Sequence, residues 1–477
     1  GEIARFISNA YRFPEIKLSA QLYREYPYND LTSHLLGYVR RVSEADLERL
    51  EQKGLRASYI GADWIGKRGI EAFYESKLRG QIGLNYVEVD ARGTELRILD
   101  RQYPVGGEDV FLTIDITLQK AAFDALGDQN GALVALDPND GSVLAFVSKP
   151  GYDPSLFVRG FDQKTWRQIR DSASRPLVNR VTDGLYPPGS TLKPFIAIAG
   201  LEERVRTPGW SMWDPGFFSL PGTQYKFRDW KKGGHGEVNL HKAIVESVDT
   251  YFYKLAHELE IDKIHRYLAQ FGFGSKTGID LPREAKGIAP SKEWKKRRFG
   301  QPWYPGDTIS VGIGQGYNLV TPLQLAVATA ALANGQTLVR PVLSRSRAHS
   351  TSKMASEPPS STPNQPLMLN AQSIHVLQKA MEDVMKLGGT AAGAARGADY
   401  SMAGKTGTAQ VFSLKGAEYD EESLEKKLQD HALFIGYAPA DQPTIALAVV
   451  VENGGGGGSV AAPIARKVFD AYFDTQP

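Results

Sequence analysis

Eight consecutive residues near the C-terminus, Thr-Ile-Ala-Leu-Ala-Val-Val-Val at 444–451, constrain the fold more than any other stretch. The run is strand length, rich in β-branched residues, and apolar on both faces. Both sides of its sheet must therefore be covered, and helices are the elements that cover such a sheet. Further strands are predicted at 132–137 and 142–148, joined by the hairpin signal Pro138-Asn-Asp-Gly141, and at 405–413 and 432–438. A 3.6-residue period marks helices at 113–126, 190–201, 240–246, 251–259, 263–271, 322–334, 371–387 and 461–473. Two strands, a long helical insertion, three strands and a closing helix predict an α/β (α+β) fold: one antiparallel five-stranded sheet covered by helices.

At 477 residues the chain is long enough for more than one domain. Residues 1–103 mix short polar stretches with turns. They hold one predicted helix at 43–53, capped by Ser43 with Glu44 and Asp46 in its first turn, strands within 86–99, and no catalytic-looking cluster. The pattern changes near Pro104, so the domains are read as 1–103 and 104–477. The 56 basic and 54 acidic residues nearly cancel, which gives no reason to expect a nucleic-acid partner. With no cysteine, disulfides, thiolate nucleophiles and Cys-ligated zinc fingers are excluded. No apolar run approaches the ~18–20 residues that span a bilayer. The chain, which starts at glycine, is read as the soluble part of something longer. The Ser/Thr/Pro-rich stretch 349–366 is expected to be a mobile loop, and the charged insert 415–430 a solvated loop or short helix.

Ser-x-x-Lys occurs three times, at Ser190–Lys193, Ser350–Lys353 and Ser423–Lys426. Only Ser190 opens an apolar helix; the others lie in the Ser/Pro-rich stretch and the charged insert. In Tyr186-Pro-Pro-Gly-Ser-Thr-Leu-Lys-Pro-Phe195, Pro194 is tolerated because the first turn of a helix has few hydrogen bonds to lose. The serine oxygen lies in the positive field of the helix N-terminus. Lys193, three residues on, shares a face with Ser190. A lysine acts as a base only when neutral, and bringing its pKa from ~10.4 to ~7 costs about 4–5 kcal/mol, supplied by burial or a second cation.

That requirement points to Lys-Thr-Gly, which occurs at 276–278 and 405–407. The first copy sits in the glycine-punctuated connector Phe271-Gly-Phe-Gly-Ser-Lys-Thr-Gly-Ile279 and reads as a turn. The second runs into Thr408-Ala-Gln-Val-Phe412, which continues as a strand, so Lys405 is taken as the functional one. Between them, Glu246-Ser-Val-Asp-Thr-Tyr251 places Ser247 and Asp249 in a helical pattern, where they either face a cleft or simply cap a helix–helix turn.

These three motifs, in this order, resemble the penicillin-binding transpeptidases. The likeness extends through Pro187-Pro-Gly-Ser-Thr-Leu-Lys-Pro194, Ser310-Val-Gly-Ile-Gly-Gln-Gly-Tyr317, Thr321-Pro-Leu-Gln-Leu325 and Ala403-Gly-Lys-Thr-Gly-Thr408. Arg12-Phe-Pro14, Tyr26-Pro-Tyr28, Gly66-Lys-Arg-Gly-Ile-Glu71 and Leu78-Arg-Gly80 resemble the non-catalytic pedestal of the class B members, in particular the elongation-type branch, penicillin-binding protein 2. The resemblance implies a penicillin-binding transpeptidase fold with an N-terminal pedestal. It implies peptidoglycan D,D-transpeptidation at the periplasmic face of the bacterial cytoplasmic membrane, with an N-terminal anchoring helix missing from this chain. It also implies stem peptides and β-lactams as ligands, no required cofactor, and a membrane glycosyltransferase and other elongation proteins on the pedestal.

Carried over by position, Ser190 is the expected nucleophile and Lys193 its base. Ser247 would relay a proton to the leaving D-alanine, and Lys405 would keep Lys193 neutral by its field. Asp249, Thr406, Gly407 and Thr408 would bind substrate, with the Ser190 and Thr408 N–H groups as oxyanion hole. Asp249 stands where many relatives carry asparagine. Some members hold zinc between the first two motifs with a cysteine ligand; here Asp214, Asp229 and His235 are suitable types, but no cysteine completes the set. A D,D-carboxypeptidase or β-lactamase of the same fold, or a non-catalytic sensor or scaffold, remain alternatives. A Ser-His-Asp hydrolase is disfavoured because no Gly-x-Ser-x-Gly elbow exists.

Overall fold

The computed structural model describes residues 2–13, 16, 23–59, 64–93, 95–345, 364–410 and 429–475. In chain order, the elements of the larger unit that build and cover its main sheet or carry the site are α1 (Ile116–Ala125), β1 (Gly131–Leu136), β2 (Val143–Lys149), α2 (Lys193–Glu202), α3 (Asp249–Gln270), α4 (Pro322–Asn334), β3 (Ala403–Ala409), β4 (His431–Ala438), β5 (Ile445–Val451) and α5 (Ala462–Asp474). The strands form one antiparallel sheet in the order β3-β4-β5-β1-β2. The doubly apolar run becomes the central strand β5, buried along its whole length. α4 packs across β1, β4 and β5, while α1 and α5 pack on each other and reach β2, β4 and β5. With β5 buried on both sides, α4 covers one face and the α1–α5 pair the other.

α4 shows why the insertion is helical where it meets the sheet. Thr321 caps it by accepting from Gln324 N at 3.1 Å, and the Gln324 side chain accepts from Thr321 N at 2.9 Å. Pro322 fits the first turn, and Gly335 ends the helix with a φ of 67°. Everything from Pro322 to Ala333 is buried, and each buried Leu or Val contributes about 1.5–3 kcal/mol. The helices predicted at 251–259 and 263–271 are two arms of α3, bent at Glu260 (φ 62°). The mostly helical reading of the middle missed residues 211–239. There Ser211–Asp214 pairs with Gly236–Asn239, and Phe217–Phe218 with Phe227–Arg228. Ladders of two to four residues are too short to show a period of two.

In the N-terminal region the helix Glu44–Gln52 starts at Ser43, whose N–H donates to Asp46 at 2.9 Å. Leu84–Val89 and Glu95–Gln102 form a hairpin carrying exposed Leu84, Tyr86, Leu96 and Ile98. Residues nearer the sheet dock firmly. Leu35, Ile70 and Tyr74 belong to the main core, Tyr74 OH donates to Asp280 at 2.6 Å, and Gln119 Nε2 donates to Leu31 O at 2.9 Å. The expected loop 349–366 and insert 415–430 lie largely outside the described residues. Among the described residues no helix is long and apolar enough to cross a membrane.

Candidate active site

Ser190 stands in a 3-10 turn, Gly189–Leu192, that leads into α2, rather than in the α-helix the periodicity predicts. Thr191 Oγ1 donates to Pro188 O at 2.6 Å and tightens the turn. Gly189 has a φ of 54°, and its N–H donates to Gly314 O at 3.0 Å. A Cβ on Gly189 would come within 2.6 Å of Thr408 O, so only glycine lets the turn lie this close to β3. Gly314 belongs to the Ser310–Tyr317 stretch, which thereby props the turn from the other side. Pro194 falls in the first turn of α2, and the rest of that turn is buried, which forces the Lys193 side chain inward.

Three of the four expected catalytic residues, Lys193, Ser247 and Lys405, converge through hydrogen bonds. Lys193 Nζ donates to Ser247 O at 2.7 Å, Ser247 Oγ at 3.2 Å and Asp249 Oδ1 at 2.6 Å. Lys405 Nζ donates to the same Ser247 Oγ at 2.8 Å and to Thr406 O at 3.1 Å. One hydroxyl thus bridges two buried lysine nitrogens. Ser247 holds this position with a φ of 59°, a left-handed backbone that costs a non-glycine residue about 1–2 kcal/mol. Complete burial, and then the Lys193 charge, push the Lys405 ammonium well below the ordinary lysine value, with Asp249 opposing. Lys193 thus has the carboxylate partner, and Lys405 is the lysine whose charged form burial disfavours. Among the described residues Ser190 Oγ makes no hydrogen bond to Lys193, whose bonds go to Ser247 and Asp249.

β3 carries Lys405, Thr406, Gly407 and Thr408 at the edge of the sheet; among the described residues it pairs with β4 alone. Thr408 is exposed where its strand neighbours are buried. A Cβ on Gly407 would come within 2.7 Å of Thr191 Cγ2, which keeps this strand against the Ser190 turn. Thr406 Oγ1 shares a 2.8 Å hydrogen bond with Thr390 Oγ1, and Gly457 N approaches Thr408 Oγ1 at 3.5 Å. Thr390 and Gly457 were not singled out in the sequence; the five glycines at 454–458 were the one available signal for a backbone lying close to the strand.

A third neighbour, Trp230, was also missed. Its indole Nε1 donates to Ser247 O at 3.2 Å. Asp229, the preceding residue, accepts from Thr250 N at 3.0 Å. Asp214, Asp229 and His235 come together, buried, with His235 Nδ1 2.9 Å from Asp214 and 3.5 Å from Asp229. The carboxylates are held by main-chain N–H groups, Gly216 and His235 on Asp214 and Lys231 and Thr250 on Asp229. The trio offers three donors of zinc-binding type, but no fourth His, Asp or Glu joins them among the described residues and the chain has no cysteine. A closed tetrahedral site is therefore incomplete.

A five-stranded antiparallel sheet thus carries a serine turn, two buried lysines and a bridging serine at its edge. Residues 131–470 match the model of the penicillin binding protein transpeptidase domain, and residues 1–112 that of the penicillin-binding protein dimerisation domain. The chain belongs to the penicillin-binding protein transpeptidase family. Among curated relatives, peptidoglycan D,D-transpeptidase MrdA of Haemophilus influenzae is 43% identical over 478 aligned residues, covering 99% of this chain and 73% of that protein. The crystal structure of Pseudomonas aeruginosa PBP2 in complex with WCK 5153 superposes with a TM-score of 0.83 at 42% identity, over 96% of this chain and 91% of that one. PBP2 of Helicobacter pylori in complex with MreC gives a TM-score of 0.85 at 34% identity, over 99% and 83%.

Proposed function

We propose that the chain is an elongation-type peptidoglycan D,D-transpeptidase that works through an acyl-enzyme on Ser190. The observation that carries this reading is the Ser247 hydroxyl bridging Lys193 and Lys405 beside the Ser190 turn. A stem peptide ending in D-Ala-D-Ala adds to the edge of β3 through main-chain hydrogen bonds. Its terminal carboxylate sits at Thr406 and Thr408, and Asp249 and Gly407 line the same cleft. A carboxylate arriving beside Lys405 favours the charged form of that lysine. Lys193 supplies the proton through Ser247 Oγ, and its freed amine accepts the Ser190 proton as Oγ attacks the penultimate D-alanine carbonyl. The N–H groups of Ser190 and Thr408 hold the oxyanion, a contribution of roughly 3–4 kcal/mol per donor. Ser247 then passes a proton to the departing D-alanine, and the amine of a second stem attacks the ester. A β-lactam stalls at the ester.

Residues 1–103 are taken as the pedestal and 104–477 as the catalytic domain, working at the periplasmic face of the cytoplasmic membrane. The exposed hairpin of the pedestal is the expected contact for a membrane glycosyltransferase and other elongation proteins. A zinc ion, if bound, would be held by Asp214, Asp229 and His235 and would brace the loop that carries Trp230. The test is the fate of a penicillin adduct: an ester stable for minutes or longer, with Ser190→Ala abolishing cross-linking in an anchored protein, is expected. Hydrolysis within seconds points to a β-lactamase, and intact wall synthesis by Ser190→Ala points to a scaffold.

A further inference from the structure

A cavity of about 130 Å³ lies where the N-terminal region meets the larger unit. His34, Tyr38 and Arg68 line it from one side, and Tyr152, Asp183 and Arg283 from the other. Contacts across that boundary fix its walls. The His34 and Tyr38 rings meet Tyr152 edge-on at 5.2 and 6.1 Å, and Asn179 Nδ2, also in the lining, donates to His34 O at 3.3 Å. Burial above all pushes the His34 imidazole down to about 4, so at neutral pH it adds no charge. The charged groups of the lining are then Arg68, Arg283 and Asp183. Arg68 and Asp183 are half-buried and Arg283 is exposed. Among the described residues, none of the three side chains makes an ion pair or a hydrogen bond, with each other or with a neighbour. A charge drawn partly out of water is ordinarily repaid by a partner. Here two guanidiniums and one carboxylate share one small space without meeting.

A simple anion would suit the arginines but meet Asp183, and a simple cation would suit Asp183 but meet the arginines. A molecule that carries both charges a few bonds apart answers all three. Size agrees: a cavity of about 150 Å³ holds benzene, which matches alanine in heavy-atom count. We propose that this cavity binds a small zwitterionic α-amino acid, with its carboxylate on Arg68 and Arg283 and its ammonium on Asp183. The chain runs from Asp183 straight into Tyr186 and the Ser190 turn, so an occupant ties the N-terminal region to the segment that leads to the nucleophile. D-Alanine, the amino acid that transpeptidation would release, is the probe. It is titrated calorimetrically into protein whose active site is first blocked with penicillin. One equivalent should bind with a Kd of about 1 mM or below and raise the unfolding midpoint as its concentration rises. Acetate and ethylamine, each carrying one of the two charges, should bind at least about tenfold more weakly. Arg68→Gln and Asp183→Asn should each weaken D-alanine by about tenfold. Arg283→Gln, on an exposed side chain, should weaken it too and keeps the test open if a half-buried variant fails to fold. No binding to the blocked wild type, acetate or inorganic phosphate binding as tightly as D-alanine, or full affinity in the folded variants overturns the site. Absence of a penicillin adduct counts against the transpeptidase reading instead, and the same titrations then run on the untreated protein.

Discussion

Lys-Thr-Gly is written twice in this chain, and the two copies have opposite fates. In the first, Lys276 is exposed, and the Thr277 and Gly278 N–H groups donate to the Glu284 carboxylate at 2.6 and 3.2 Å, a turn closed by one acid. In the second, the lysine is wholly buried on an edge strand and touches the hydroxyl that Lys193 also touches. The tripeptide itself carries no chemistry. What sets Lys405 apart is that burial and a neighbouring charge make its ammonium unfavourable, while Lys276 lies exposed.

Substitution separates the copies most strongly in rate. Lys405→Met should cut penicillin acylation of Ser190 by on the order of 10³-fold, in the range of a lost electrostatic group; Lys276→Met should leave it within about twofold. Stopped-flow acylation reads both, and equal loss would break the contrast. Asp249→Asn removes the carboxylate that holds Lys193 at rest. Acylation should then change by about tenfold, the scale of one lost hydrogen bond to a charged group; an unchanged rate would mean that this contact plays no part in acylation.

Stability should move the opposite way to rate. Lys405 is neutral more readily folded than unfolded, so the unfolded state binds the extra proton. Its burden is absent above the ordinary lysine value and grows as pH falls towards the depressed folded value. Lys405→Met lifts that burden and should stabilise the inactive protein by about 1 kcal/mol at pH 7, with the gain shrinking above pH 10. Thermal unfolding across pH measures it; a gain independent of pH would mean that packing, not charge, is responsible. The smallest effect belongs to the first copy. Glu284→Gln weakens two N–H contacts and should cost about 0.5 kcal/mol with acylation unchanged.

The sheet was legible because β5 has no polar face and the Pro138–Gly141 hairpin announces its neighbours. The second Lys-Thr-Gly was legible because strand-forming residues follow it. What could not be read was set by tertiary contact. Ser190 left the α-helix for a 3-10 turn because Gly189 had to pass between Gly314 and Thr408, both more than a hundred residues away in sequence. Trp230, Thr390 and Gly457 reach the site from segments with no local motif. Asp249 was recognised as a departure, but its partner was not: only folding brings it to Lys193.

The most direct test of the central claim is mass spectrometry of the intact and digested protein after penicillin treatment, on the wild type, Lys276→Met and Lys405→Met side by side. The account predicts one stable adduct, on Ser190, in the wild type and in Lys276→Met, and almost none in Lys405→Met over the same interval. An adduct on another serine, no adduct in the wild type, or full labelling of Lys405→Met would contradict it.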